Sequence, residues 1–183
     1  MHEIDCPVDV QPEHYLMPTT CLRTASPADA AACCAIYNPY VATTAITFEE
    51  EPVAEADMAQ RIADVAAAGL PWLVAEADGK VVGYAYATKW RVLPAYRYSS
   101  ESTVYVDPAY VGQGVGHALY AALLDELRGR GLHLVIGGIA QPNEASVGLH
   151  EALGFCKVAH FAEVGMKFGR WIDVGYWQLN LAG

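Results

Sequence analysis

Positive charge is scarce in this chain. Its 183 residues carry 11 Lys and Arg against 21 Asp and Glu, a formal net charge of −10. Affinity for nucleic acid comes largely from basic side chains that displace counterions from phosphates. Anionic membrane surfaces attract the same side chains. The deficit therefore argues against nucleic acid and against a membrane as partners. Long apolar runs are missing too, since none approaches the ~20 residues of a membrane span. The opening stretch, MHEIDCPVDVQPEHYLMP, has neither a basic n-region nor an apolar h-region, so no signal peptide is expected. The five cysteines (Cys6, Cys21, Cys33, Cys34 and Cys156) form no CxxC, and no His pair stands near them at ligand spacing. That leaves no metal motif, and the thiols are expected to be reduced, small apolar side chains of a cytoplasmic protein.

What is present points to a packed globule. Hydrophobic residues make up 54% and charged residues 17%, which is not the composition of a disordered chain. The length suits one domain, and near ~150 residues a domain hides roughly 70% of its unfolded surface. Residues 1–19 are polar, hold Pro7, Pro12 and Pro18, and are expected to be an extension, with Met17 a second possible start. The folded domain is expected over residues 20–183. Within it the pattern predicts a strand at Thr20–Thr24 and helices at Asp29–Val41 and Val53–Ala68. A hairpin follows, Trp72–Ala77 and Lys80–Trp90, around the Asp78-Gly79 turn. Arg91–Ser100 reads as a loop and Glu101–Pro108 as a strand. Gly114–Arg130 is an amphipathic helix, Leu132–Ala140 a buried strand, and Asn143–Leu153 a helix capped by Asn143 and stopped by Gly154. Two closing strands complete the order βααβββαβαββ, an α/β fold with mixed sheet pairing. Trp171 is expected to pack on those closing strands.

The most informative stretch is VYVDPAYVGQGVGHAL, Val104–Leu119. A strand runs to a proline, and Gly112, Gly114 and Gly116 then open directly into a helix. Closely spaced amides at a helix N-terminus can cradle an anion, helped by the helix dipole. The run is not a P-loop, because no GK[ST] follows, and it is not GxGxxG, because its glycines alternate. On the glycines alone, an anion cradle and a ligand-free βα turn are equally compatible.

The wider context distinguishes them. V-x-V-D-P, then x-x-G-x-G-x-G, a helix, a strand, and a helix leading into LHEALGF resemble the GNAT acyltransferase superfamily. AYRYSSESTVYV (Ala95–Val106), QPNEASVGLHEALGF (Gln141–Phe155) and VGMKFGRWIDVGYWQLNL (Val164–Leu181) resemble its phosphinothricin and methionine sulfoximine N-acetyltransferase branch. The resemblance spans Leu22 to Leu181. It implies a central, mostly antiparallel twisted sheet of about seven strands flanked by about four helices, acetyl-CoA as co-substrate, and a homodimer joined through the closing strands. It also implies that Val104, Tyr105 and Val106 line the pantetheine arm. The loop Gly112, Gln113, Gly114, Val115, Gly116 and His117 would hold the pyrophosphate, and Asn143 and Ser146 would meet the pantetheine. Two positions depart from the family pattern: Val111 stands where Gln or Arg is usual, and Met166 where an aromatic is usual.

Amide formation needs a free amine, so a proton must leave the ammonium. Glu101 begins the strand that would carry the cofactor, which suits a general base. A solvent-facing carboxylate is the other reading, and the resemblance favours the base. His150 lies on a helix face between Leu149 and Leu153. By itself it reads as a core histidine; by resemblance it is a second acid/base candidate, with its proton unassigned. Arg91 and Arg97 stand just before Glu101, where guanidinium groups could hold carboxylate, phosphinate or sulfone oxygens. Solvated charges in a loop are the plain alternative. Tyr96 and Tyr105 could wall the acceptor pocket. Phosphinothricin-specific relatives carry a basic residue in place of Leu93 and an acidic one in place of Arg97. This chain therefore leans toward methionine sulfone, methionine sulfoximine or another glutamate-like acceptor. The competing readings are a GNAT enzyme for a polyamine, antibiotic or protein N-terminus, and a non-catalytic acyl-CoA-binding domain.

Overall fold

A computed structural model describes residues 20–181. The expected extension over residues 1–19 lies outside them. Among the described residues, seven strands form one sheet with four helices packed against it. The elements are β1 (Cys21–Thr24), α1 (Ala30–Thr43), α2 (Glu55–Ala67), β2 (Trp72–Ala77), β3 (Lys80–Lys89), β4 (Ser99–Val106), α3 (Val115–Gly129), β5 (Leu134–Ala140), α4 (Glu144–Ala152), β6 (Cys156–Lys167) and β7 (Arg170–Asn180). The sheet order is β1-β2-β3-β4-β5-β7-β6, antiparallel throughout except for the parallel pair β4–β5.

Local chemistry explains the elements. Asp78 and Gly79 both adopt positive φ, +52° and +75°, as a tight hairpin turn requires, and Ala77 pairs with Lys80 across it. Ser26 and Asp29 cap the turn that leads into α1, with Ser26 N–H donating to Asp29 at 2.8 Å. Asp29 is gripped by Arg23, which also reaches Glu76 on β2. Asn143 caps α4 by accepting from the Ser146 amide at 3.1 Å. Both α1 and β4 run past their expected ends: α1 continues through Pro39 to Thr43, and β4 begins at Ser99, where its pairing with Leu134 of β5 starts. Its strand ends at Val106, since Pro108 opens a 3-10 turn.

Two cores flank the sheet. On one face α3 lays Leu119, Tyr120, Leu123 and Leu127 over Ala75, Ala85, Val135 and Phe155. Each buried leucine contributes roughly 1.5–3 kcal/mol. Helix α3 approaches closely because Gly83 of β3 carries no side chain; a Cβ there would meet Leu119 at 3.0 Å. On the other face α1 and α2 bury Cys33, Cys34, Ile36, Met58 and Ile62 against Trp72, Val74 and Tyr84. The described cysteines are free, and Cys21 and Cys156 are exposed. Trp171 departs from expectation. It stands 58% exposed near the β6–β7 hairpin end, where the pair with Met166 lies beyond the reach of either core.

Candidate active site

The parallel pair β4–β5 is short. It covers Ser99–Leu134, Ser100–Val135 and Glu101–Ile136, after which residues 102–106 and 137–140 run on without pairing to each other. The sheet therefore parts between its two central strands. Each strand leads into a helix, β4 into α3 and β5 into α4, so two positive dipole ends converge at the mouth of the parting. The glycine loop lies at that mouth. Gly112 and Gly114 both have φ +81°, and a Cβ on either would meet no atom within 4 Å. The cradle is thus open beside its backbone, and the first helical turn of α3 supplies N–H groups that have no intrahelical acceptor. The amides of Gly112, Gly114, Val115, Gly116 and His117 could hold an anionic diphosphate without a basic side chain, while the Gln113 N–H donates to the Tyr110 carbonyl at 3.4 Å. Gln113 turns its own side chain back to the Ala109 carbonyl at 2.9 Å. Among the other expected cofactor contacts, the Val106 carbonyl is already engaged by the Tyr40 hydroxyl at 2.6 Å. Val104 and Val106 direct their side chains toward the α3 core, whereas Tyr105 packs on the opposite face against Tyr37, Tyr40 and Tyr84.

The two candidate acid/base residues occupy opposite faces of the sheet at the point where it parts. Gly137 and Gly138 of β5 separate them. A Cβ on Gly137 would collide with the His150 imidazole, and one on Gly138 would lie 3.3 Å from Glu101 Oε1 and from the Tyr176 ring. Successive strand residues point to opposite faces. Glu101 is half-buried, and burial pushes its carboxyl above the usual range, with Arg91 nearby pulling it back down.

His150 is 4% exposed and lies in a chain of hydrogen bonds. Its Nδ1 faces the Ser146 carbonyl at 2.7 Å and so carries the proton, leaving Nε2 to accept from the Tyr120 hydroxyl at 2.9 Å. Tyr120 in turn meets Ser102 Oγ, which lies 3.3 Å from the Ile136 carbonyl at the last paired position. Burial keeps the imidazole neutral by lowering its pKa, opposed by the Ser146 contact. Sequence reasoning found His150 but not Ser102 or Tyr120. Tyr120 sits at a helical core position, and only the packing of α3 on β4 brings its hydroxyl to Ser102.

On the Glu101 face a pocket of about 240 Å³ is walled by Trp90, Arg91, Ile136, Phe161, Tyr176 and Gln178, among others. Trp90 and Phe161 both stand edge-on to Tyr176, and the Arg91 guanidinium lies over the Trp90 ring at 4.3 Å. Arg91 thus lines this pocket, near enough for its charge to act on Glu101. Arg97 does not: it donates to the Pro94 carbonyl and stacks on Tyr98, and Tyr96 stays in the exposed turn before it. Trp90 follows the end of β3, while Phe161 and Tyr176 come from β6 and β7, so no local motif reveals them. A larger hollow, about 730 Å³ between β1 and α3, is lined by Arg23, Asp125, Glu126 and Arg130 and lies away from this chemistry.

Residues 22–175 match the family described as the acetyltransferase (GNAT) domain. The chain is 46% identical over 146 residues to a phosphinothricin N-acetyltransferase of Alcaligenes faecalis, covering 79% of this chain and 74% of that one. It is 42% identical over 163 residues to an L-methionine sulfoximine/L-methionine sulfone acetyltransferase of Salmonella typhimurium, covering 87% and 94%. A solved Salmonella typhimurium acetyltransferase with its cofactor acetyl-CoA superposes with a TM-score of 0.85 at 40% identity, over 88% of this chain and 94% of that one.

Proposed function

Because the chain belongs to the GNAT acetyltransferase family, we propose that it acetylates the α-amine of a small amino acid or analogue of the methionine sulfoximine, methionine sulfone or phosphinothricin type. It is an N-acetyltransferase, and acetyl-CoA supplies the acetyl group as an activated thioester. The observation that carries the acceptor reading is Glu101, half-buried beside Tyr176 and Arg91 at the edge of the aromatic pocket.

The chain's own residues divide the work. Amides of the 112–117 loop hold the diphosphate, and the unpaired edge of β4 with Asn143 and Ser146 receives the pantetheine arm. Glu101 takes the proton from the acceptor's ammonium. Its raised carboxyl is a better match for that task than an ordinary one. Tyr120 Oη, with His150 behind it, holds a proton where the sheet parts. Transfer is direct, in a ternary complex. Arg91 reads an oxygen-bearing group of the acceptor, and the largely neutral aromatic walls suit a sulfone or sulfoximine side chain better than a phosphinate.

The β6–β7 hairpin supports a homodimer. Val158, Phe161, Val164, Met166, Phe168 and Trp171 on β6, β7 and their hairpin turn leave a broad apolar surface open, of the kind that a second copy covers. A cytoplasmic location fits the four free cysteines among the described residues. The test is thiol release from acetyl-CoA with a panel of amines. Release with methionine sulfoximine or sulfone and none with spermidine is expected; release only with spermidine, or with no amine, overturns the proposal.

A further inference from the structure

The chemistry above leaves Lys167 without a role. This last residue of β6 is only 3% exposed. Its Nζ donates to the Thr47 carbonyl at 2.8 Å and lies 5.1 Å from the centre of the Phe168 ring. Burying an ammonium is expensive, and an apolar side chain of similar size is often as stabilising. The charge is therefore better explained by where it holds the Thr47 carbonyl than by what it adds to folding.

Thr47 belongs to the irregular segment 44–54 between α1 and α2. That segment is pinned on the Glu101 face of the sheet. The Thr47 hydroxyl meets the Tyr37 hydroxyl at 2.5 Å, and Tyr37 stands edge-on to Tyr105, four residues beyond Glu101 on the same face of β4. Phe48 covers Gly165, where a Cβ would meet its ring at 2.6 Å. Gly165 and Phe161, a wall of the acceptor pocket, pair with Ile172 and Val174 on one face of β7. Asn38 brackets Val53 through both amide atoms, and Glu49 pairs with Arg61 at 2.6 Å. A strap without regular structure depends on few contacts for its position. The charge-assisted bond from Lys167 is the strongest tie between the strap and the β6–β7 hairpin.

We propose that Lys167 is a positioning residue for acceptor selection: it clamps residues 44–53 beside Glu101, and the clamped strap limits the size of the amine that reaches the pocket. This rests on the acceptor site proposed above, but the clamp itself has a separate readout. The experiment compares the full chain with Lys167→Met, Lys167→Arg and Phe48→Ala by amide hydrogen exchange and steady-state kinetics. In Lys167→Met, exchange within residues 44–53 should quicken while β4 and α3 stay protected. The KM for methionine sulfoximine should rise about tenfold, equivalent to about 1.4 kcal/mol. The KM for acetyl-CoA should hold, and phenylalanine should gain as an acceptor relative to methionine sulfoximine. Lys167→Arg, which keeps a charged donor, should recover most of the loss. Phe48→Ala removes a partly exposed ring, does not threaten folding, and should reproduce the change in selectivity. Unchanged exchange at residues 44–53, or equal rises in both KM values, overturns the proposal. If the unaltered protein acetylates no amino acid, the acceptor reading fails while exchange still decides the clamp.

Discussion

The imidazole of His150 occupies the space that Gly137 leaves empty. A Cβ at position 137 would collide with its Nε2 and Cδ2 atoms. The neighbouring glycine does the same for the other face, where Gly138 leaves room for Glu101 and Tyr176. Two consecutive glycines in β5 thus thin the sheet between Glu101, the proposed base, on one face and the hydrogen-bonded His150 and Tyr120 on the other.

Gly137→Ala should push His150 off Tyr120 and slow turnover about 10- to 100-fold, with about 1–3 kcal/mol lost to overpacking. The double variant Gly137→Ala with His150→Ala should be no slower than His150→Ala alone, because the collision is then gone. Turnover numbers and thermal unfolding of the three variants check this. Additive losses would place the effect of Gly137 elsewhere.

The acid limb of the pH–rate profile should report Glu101. Arg91 opposes the upward shift that burial imposes on this carboxyl. Removing the guanidinium in Arg91→Gln should therefore move the limb to higher pH, since the base must lose its proton without a nearby positive charge. The acceptor's own ionisation is common to both proteins, so the comparison isolates Glu101.

Stability should carry a separate acid signature from Asp29. Hydrogen bonds from Arg23 hold its carboxyl at about 2. A depressed carboxyl contributes stability that is present above its unfolded value and fades as pH falls toward 2. Because Arg23 is partly exposed, Arg23→Met should cost about 1 kcal/mol at neutral pH, with the deficit shrinking on acidification. Denaturant titrations at neutral pH and below 3 measure both ends.

The element order was legible because its signals are local: the Asp78-Gly79 turn, the Asn143 cap and the alternating glycines before α3 each set backbone geometry within a few residues. The same holds for Glu101, whose place follows from its strand. What could not be read depends on contacts across the sheet. Tyr120 meets both Ser102 and His150 only because α3 and α4 pack on the face of β4 and β5 where those two strands part. Lys167 ends a hairpin strand, yet its ammonium is buried against a segment 120 residues earlier in the chain, a contact that no local pattern marks. The directions of Arg97 and Trp171 were hidden for the same reason: loop and hairpin ends reveal composition, not direction.

The most direct test is Glu101→Gln, which keeps shape and removes the base. Turnover with methionine sulfoximine should fall by about 10²- to 10⁴-fold, while affinity for acetyl-CoA, whose proposed cradle lies elsewhere, should not change. Undiminished turnover would contradict the assignment of Glu101 as the base and, with it, the account of how this site deprotonates its acceptor.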